Sequence, residues 1–305
     1  MSDHITPEMP AGEPDLLDWY PFHISHWPRS IVEPAEYTGG ERLNLSWDLG
    51  RVDEKQKKTV IKAWCAELPK MQQVRWLNLW THVTPPLFEA VCRMPNLECM
   101  QIKWSNLKSL EGIQNLAQLR YLAIGSSTKI TSIEPLTALT RLRLLSIENF
   151  KLISDFAPLR KLTALEYLAV SGSMWTNQKV ASLEPFAQMD GLKSLFVDTS
   201  AIDSLSPLAR LRGLRRLNLP GNLPMVEYAR LAARMPETEC RWFAPWLDLA
   251  QSGIGRCEEC KGDTKVMITG KGGGVLCRVC QQARVQKHEA AYIAAYEIAR
   301  AQAKA

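Results

Sequence analysis

Two cysteine pairs near the end of the chain are the residues whose type and spacing most directly indicate chemistry. Cys257 and Cys260 form one C-x-x-C pair, and Cys277 and Cys280 form a second pair after 16 intervening residues. Four thiolates can share one tetrahedral Zn²⁺ at about 2.3 Å, and two close pairs brought together by a turn supply all four. The spacing therefore predicts a structural zinc site.

The residues around the two pairs indicate how such a site would be built. The stretch "CEECKGD" offers Gly262 for a tight turn, and "KVMITGKGGGVL" (265–276) alternates around glycines as a hairpin does. The second pair opens a helix that we expect from about 278 to 302. This order resembles the treble-clef zinc fingers, and the spacing is similar to that of the GATA-like members. The resemblance covers about 257–288 and implies zinc, but not DNA binding, because such fingers also serve protein contacts.

The charge distribution argues against a strong nucleic-acid binder. The formal net charge is +5, and residues 251–305 carry nine basic and five acidic side chains. A zinc ion held by four thiolates adds about −2 to this segment. After Arg284 and Lys287 the predicted helix, "HEAAYIAAYEIARAQAKA", is rich in alanine and nearly neutral. We therefore keep a nucleic-acid-associated regulator that uses the basic zinc finger only as the alternative function.

The other cysteines and the hydropathy pattern predict a cytoplasmic protein that does not span a membrane. Cys65, Cys92, Cys99 and Cys240 occur singly in apolar segments, which is typical of a reducing compartment. No apolar run approaches the roughly 20 residues of a membrane span. The start, "MSDHITPEMPAGEPDLLDWY", has neither a basic n-region nor an apolar h-region.

A repeated pattern, L-x-x-L-x-L, occupies the middle of the sequence. Its central apolar residues are Leu77, Met100, Leu122, Leu145, Leu168, Leu195 and Leu217. They are separated by 23, 22, 23, 23, 27 and 22 positions. A near-constant period of this length predicts stacked structural units, because one unit cannot bury its leucines alone.

The second half of each unit also recurs, as in "SIEPLTAL", "DFAPLRKL" and "SLSPLARL". Together with the strand leucines, these second-half segments resemble the leucine-rich repeats of the 22-residue class over about 71–235. The resemblance implies an α/β solenoid with a parallel sheet on the concave side, and a role in binding other macromolecules. The sequence departs from the family where an asparagine commonly follows the strand, since Ser126, Gly172 and Thr199 stand there. We expect the turn to be secured differently.

The two ends of the repeat array need covers, and this divides the protein into three parts. Residues 1–70 form an N-terminal extension and cap, in which "RLNL" (42–45) predicts an eighth strand and Asp53 begins a helix. The aromatic residues of 19–27 are expected to anchor this extension over the end of the solenoid. Residues 71–250 form the solenoid, closed by "CRWFAPWLDL" (240–249), and residues 251–305 form the small zinc finger and the long terminal helix.

The residues between the leucines should point outward from the concave face, because side chains alternate along a strand. The positions before, between and after the last two leucines of each motif therefore predict a partner-binding surface. It is formed by Trp76, Trp80, Gln101, Tyr121, Glu148, Tyr167, Phe196 and Asp198. The alternative is that the N-terminal segment folds back over Trp76 and Trp80. The longest repeat places Trp175 in an insertion at the rim, either as a binding residue or as a lid on neighbouring turns.

The terminal helix carries an apolar stripe that must be buried somewhere. Val285, Tyr292, Ile293, Tyr296 and Ala299 share one side of it. The stripe can pack on the solenoid, on a second copy in a homodimer, or on a partner.

Sequence patterns of catalysis are missing from the protein. It has no P-loop, G-x-S-x-G or H-E-x-x-H pattern, and "GKGGG" (270–274) lacks the Ser or Thr and the helix of a phosphate-binding loop. We therefore predict a non-enzymatic module that recognises a protein partner, as a toxin-neutralising immunity protein or a scaffold.

Overall fold

Eight parallel strands form one sheet in sequence order within residues 14–48, 52–200 and 202–304, which the computed structural model describes. They are β1 (Arg42–Leu45), β2 (Trp76–Val83), β3 (Cys99–Ser105), β4 (Tyr121–Ile124), β5 (Leu144–Glu148), β6 (Tyr167–Ser171), β7 (Ser194–Val197) and β8 (Arg216–Asn218). The register pairs Leu43 with Leu77, Leu77 with Met100, and so on through the repeat leucines to Leu217. The predicted α/β solenoid and its strand at 42–45 are confirmed.

Short 3₁₀ helices return the backbone on the convex side, at 113–115, 134–138, 157–161, 186–188 and 206–210. Three of them begin with a proline in the first turn, where its fixed φ is suitable and its missing N–H is not needed. Their central leucines, such as Leu136, Leu159 and Leu208, are fully buried against the strand leucines. Each such burial contributes about 1.5–3 kcal/mol, so the apolar spine is the main source of stability.

The turns that follow the strands use hydroxyl and amide side chains in place of an asparagine ladder. The Oγ atoms of Ser105 and Ser127 lie 2.7 Å apart in the buried interior. The buried side chain of Gln178 accepts from the N–H of Phe150 at 2.9 Å and donates to the carbonyls of Phe150 and Ile153 at 3.0 and 2.7 Å. A side chain supplied by the next repeat thus satisfies the backbone that bends here.

The connection between β1 and β2 contains α1 (Glu54–Glu67), which packs on the first part of the spine with α2 (Pro85–Val91) beside it. Asp53 caps α1 as predicted, because its carboxylate accepts from the N–H of Gln56 at 2.8 Å while the Gln56 amide accepts from the N–H of Asp53 at 3.0 Å. Val60 and Trp64 are buried, and Ile61 and Cys65 pack at the edge of the same core.

After β8 the chain forms α3 (Met225–Arg234), which packs on the core with Tyr228 and Leu231, and then a second, antiparallel sheet. This sheet starts with β9 (Trp246–Asp248) and contains the predicted hairpin as β10 (Lys265–Ile268) and β11 (Val275–Cys277). Because β9 pairs with β10, this sheet contains residues from both sides of the boundary predicted at 250/251.

The long helix α4 (Gln282–Lys304) begins two residues after Cys280, later than predicted, because residues 278–281 form a turn around the second cysteine pair. It packs against α3, with Tyr292 and Ala299 buried. Ile293 was expected on the same stripe but is 51% exposed, because the docked side of α4 passes through Tyr292 and Tyr296. Among the described helices, α4 included, none has the length and apolar character needed to cross a membrane.

Candidate recognition surface and metal centre

Residues 14–28, which we call the N-terminal strap, lie across the concave face of the sheet. Leu16, Phe22 and Trp27 of the strap are buried together with Trp76 and Tyr121 of the sheet. The ring of Trp19 meets Trp76 and Tyr121 edge-on, with centroids 5.7 and 5.8 Å apart. The strap residues were expected to anchor over the end of the solenoid, and this expectation is wrong, since they fill the concavity instead.

Polar contacts hold both ends of the strap. Asp15 pairs with Arg215 at 2.8 Å, and the Leu17 carbonyl accepts from Arg216 at 3.1 Å beside β8. At the other end the His26 carbonyl accepts from Arg42 of β1 at 2.7 Å. The N–H of Leu17, and then the Arg215 guanidinium, lower the pKa of Asp15. The strap therefore spans the width of the sheet.

The strap changes the partner surface predicted from the sequence. Trp76 and Tyr121 are each 1% exposed, so the expectation that they offer free rings is wrong. Tyr167 is half-buried, with its ring 6.2 Å from that of Tyr20. The alternative, a fold-back of the N-terminal segment, is confirmed over Trp76 but not over Trp80, which is 39% exposed. The reason is that Trp76 and Tyr121 directly precede the central apolar residue of the strand motif, and the strap follows this row.

A band of the concave face beside the strap stays accessible, and we call it the open strip. It consists of Trp80, Gln101, Lys103, Glu148, Phe196 and Asp198, none of which is buried. The ammonium of Lys103 lies 4.6 Å from the ring centroid of Trp80, so this end of the strip is aromatic and positive. Glu148 and Asp198 make the other end negative.

The insertion in the longest repeat forms a rim loop (172–178) next to the open strip. Trp175 and Met174 at its tip are each 87% exposed, so Trp175 is not a lid on neighbouring turns. The loop is nevertheless well braced, because Asn177 donates to Asp198 at 2.6 Å and Gln178 is buried below it. A Cβ atom at Gly172 would lie 1.7 Å from the Thr176 carbonyl oxygen, so only glycine allows this close approach.

The four cysteines of the two pairs come together at one point, as predicted. Sγ of Cys257 lies 3.8 Å from Sγ of Cys280, and Sγ of Cys260 lies 3.7 Å from Sγ of Cys277. All four sulfur atoms lie within 4.8 Å of one another. A tetrahedral ion with metal–sulfur bonds of about 2.3 Å requires sulfurs about 3.8 Å apart. The cluster therefore fits a single tetrahedral metal ion.

Neighbouring donors favour the thiolate form of two of these cysteines. The Thr264 hydroxyl lies 3.1 Å from Sγ of Cys277, and with the N–H of Cys280 it lowers the pKa of Cys277 to about 6. Thr264 and the N–H of Gly262 also lower the pKa of Cys260. By contrast, the Glu259 carboxylate raises the pKa of Cys280, because it accepts a hydrogen bond from the neutral thiol. Metal binding would release the proton of this thiol.

The sheet of β9, β10 and β11 positions the metal ligands. Cys277 is the last residue of β11, and the first pair lies in the turn before β10. The sequence indicated Gly262 as the residue that permits this tight turn. The residue with a left-handed backbone conformation is instead the adjacent Lys261, at φ 60°. A small apolar cluster, formed by Val266, Ile268, Leu276 and Val285, lies under the site. Arg278 pairs with Asp248 at 3.1 Å and stacks on Trp246, so its positive charge is directed at residues of β9 in the same sheet.

No protein-family profile matches the sequence, and no curated protein does. Similar solved structures include the internalin inlF of Listeria monocytogenes, at 22% identity over 65% of this chain and 51% of the internalin, with a TM-score of 0.49. Internalin C2 of the same organism is 24% identical over 50% of this chain and 66% of the internalin, with a TM-score of 0.41. A leucine-rich repeat protein of Leptospira interrogans is 12% identical over 70% of this chain and 58% of that protein, with a TM-score of 0.47. The match thus spans about half to two thirds of these proteins' lengths. The assignment of leucine-rich repeats rests on the eight-strand register.

Proposed function

We propose that the protein is a non-enzymatic recognition module that binds a protein partner through the open strip and the rim loop. The exposure of Trp175 and Met174 carries this proposal, because both are 87% exposed on a loop that hydrogen bonds hold in place. Large apolar side chains on a rigid support bury much area on binding at little entropic cost. The rim loop joins the end of the open strip that contains Asp198, and Trp80 lies at the other end of the strip.

The partner should carry complementary charges of both signs. Lys103 lies near one end of the open strip, and Glu148 and Asp198 lie towards the other, so an acidic and a basic patch would face them in turn. Of the site residues expected from the sequence, we retain Trp80, Gln101, Glu148, Phe196, Asp198 and Trp175 as partner contacts. Trp76 and Tyr121, and in part Tyr167, support them from below the strap.

We also propose that the four-cysteine site binds structural Zn²⁺ in a treble-clef finger. Thiolate ligands favour zinc over the hard cations Mg²⁺ and Ca²⁺, and four protein ligands leave no open position for substrate.

All eight cysteines are free thiols in the fold, which suits a cytoplasmic protein. Within this setting the protein would serve as a toxin-neutralising immunity protein or a scaffold. A homodimer would have to use the outer side of α4, where Ile293 and Ile298 are exposed.

Photo-crosslinking tests the recognition surface and does not require the partner to be identified in advance. Benzoylphenylalanine is placed at position 175, and in a matched control at Lys161, whose side chain is 64% exposed on the convex side. In lysate of the source cells, we expect one discrete protein adduct from position 175 and none from position 161. The additional substitution Glu148→Lys should weaken the adduct at 175, because it reverses the charge of the strip.

Two results would contradict this proposal. Equal adducts from positions 175 and 161 would show that the rim loop is not a specific contact. Adducts that disappear after nuclease treatment would favour the alternative, a nucleic-acid-associated protein, and their yield should then fall steeply with salt.

A further inference from the structure

Leu152 is a large apolar side chain that is exposed next to the rim loop but outside the open strip. It is 62% exposed, in the turn between β5 and the 3₁₀ helix at 157–161. Gln178, the last residue of the rim loop, braces this turn. Its amide oxygen accepts from the N–H of Phe150 at 2.9 Å, and its amide nitrogen donates to the Ile153 carbonyl at 2.7 Å. Leu152 and the rim loop therefore lie on adjoining segments of one rim of the solenoid.

Leu152 stands in a row of basic side chains along this rim. Lys129, Leu152 and Lys179 occupy equivalent positions in three successive repeats, because each directly precedes a buried apolar residue of the spine. The N–H of Ala181 donates to the Ser154 carbonyl at 2.8 Å, and these two residues follow Lys179 and Leu152 by two positions. Equivalent residues of neighbouring repeats are about 5 Å apart at strand spacing, so the leucine has a lysine on either side.

The lysines of this row carry positive charge that the fold does not neutralise. Lys129, Lys151 and Lys179 are exposed, and in the described part of the chain no carboxylate lies within ion-pair distance of them. The acidic residue of the same turn, Asp155, instead accepts from the N–H of Ala157 at 2.8 Å. Carboxylates of a partner would therefore complement the row.

The concave side of the rim loop has the opposite charge, which favours a protein over a lipid membrane as the occupant. Glu148 of β5 lies beside Ser171 of β6, the residue before the rim loop. Asp198 accepts from Asn177 at the other end of the loop. An anionic membrane would repel these two carboxylates, whereas a protein can place bases opposite them and acids opposite the lysines.

We propose that the partner-binding surface continues over the rim to Leu152, and that the partner covers this side with an apolar side chain flanked by carboxylates. The apolar side chain would contact Leu152 and the tip of the rim loop, and the carboxylates would pair with Lys151 and Lys179. The partner's surface would then change from basic, opposite Glu148 and Asp198, to apolar at the tip and acidic beyond it. This inference rests on the proposed recognition function and deepens it, because it names the chemistry of the partner's contact.

Three peptide probes test this surface in the full-length protein. N-acetyl-Glu-Glu-Leu-Phe-Glu-Glu amide is acidic, and Gln or Lys replaces every Glu in the neutral and the basic probe. The protein is labelled with ¹⁵N-tryptophan, and the indole resonance of Trp175 is assigned from Trp175→Phe. We expect the acidic probe to shift this resonance saturably and to bind about five-fold more tightly than the neutral probe, as expected for about two exposed ion pairs. The basic probe should bind more weakly than either.

Lys151→Gln combined with Lys179→Gln should abolish the preference for the acidic probe. Lys58→Gln combined with Lys62→Gln, the same change of charge at exposed positions of α1, should keep it. Leu152→Ala should weaken the acidic and the neutral probe by the same factor, because it removes apolar contact and no charge.

The acidic contact is refuted if the neutral probe binds as tightly as the acidic one, if the substitutions at 151 and 179 leave the preference unchanged, or if no peptide shifts the resonance. It is also refuted if the Trp175 resonance responds only to vesicles of phosphatidylcholine with about one third phosphatidylglycerol, because the row would then dock on a membrane. A discrete crosslinked adduct from position 175 beside these negative results would retain the recognition function and reject only the chemistry assigned to this side of the partner.

Discussion

On removal of the metal, the segment from Trp246 to about residue 285 is expected to unfold while the eight-stranded solenoid stays folded. Only four residues, Val266, Ile268, Leu276 and Val285, form the buried apolar cluster described for this segment. A segment with so small an apolar core usually needs a metal or disulfides in order to fold. A structural zinc site supplies about 10–16 kcal/mol, so the metal decides whether the segment folds.

Hydrogen–deuterium exchange measures this effect for each segment. After chelation, or in Cys277→Ser, amides of β10 and β11 should lose protection, whereas those of β4 to β6 should not change. The second half of α4 should keep its protection, because Tyr292 and Ala299 pack on α3 and the solenoid core. Cys65→Ser is the matched control, since Cys65 lies half-buried on α1 and outside the four-cysteine cluster.

Metal analysis of the purified protein completes this test. We expect one zinc per molecule in the wild type and in Cys65→Ser, and none in Cys277→Ser. If Cys277→Ser keeps full protection of β10 and β11 without bound metal, the cysteines are not the source of stability and the zinc proposal fails.

Trp76→Ala is expected to lower the free energy of unfolding by about 3–5 kcal/mol, the usual cost of removing a fully buried tryptophan. The ring of Trp76 packs against Trp19, Trp27 and Tyr121, and the Arg42 guanidinium lies 5.1 Å from its centroid. Its loss would leave a cavity between the strap and the sheet and would expose neighbouring aromatic surface.

Trp175→Ala is the matched control for this prediction. Because Trp175 is 87% exposed, its removal should change the free energy of unfolding by less than about 0.5 kcal/mol. Urea denaturation followed by circular dichroism compares the two variants. Equal and small effects would mean that Trp76 is a free surface residue, the first of the two alternatives that the sequence left open, and that the strap does not cover it.

The repeat architecture could be predicted from the sequence because it depends on a periodic constraint. Each leucine from Leu77 to Leu217 must stack on its neighbour, so a spacing of mostly 22–23 residues fixes the strand register. The four-cysteine cluster could be predicted for a similar reason, since two C-x-x-C pairs have few other uses in one short segment. In both cases a local pattern determines which atoms meet.

The course of the strap could not be predicted, because no periodic pattern sets it. Phe22 and Trp27 needed an apolar surface, and both the end of the solenoid and the concave row of Trp76 and Tyr121 offered one. The pairing of Asp15 with Arg215, 200 residues away, helps to select the concave face. The same holds for α4, where packing on α3 decided that Tyr292 is buried and Ile293 is exposed.

The strap also explains why recognition falls to the open strip and the rim loop. Displacing Leu16, Phe22 and Trp27 would re-expose three large apolar side chains, at a cost of about 1.5–3 kcal/mol each, before a partner could reach Trp76. A partner that binds Trp80 and Trp175 meets no such cost. The strap is therefore best understood as a permanent part of the fold that forms one wall of the binding region.

Oxidative footprinting of the tryptophans in the native protein tests this central claim most directly. Hydroxyl radicals should modify Trp175 fastest and Trp80 at an intermediate rate, because they are 87% and 39% exposed. Trp76 should be modified as slowly as Trp64, which is fully buried on the inner side of α1. Oxidation of Trp76 at a rate similar to that of Trp175, while Trp64 remains protected, would show that the strap leaves the concave row open and would contradict the account.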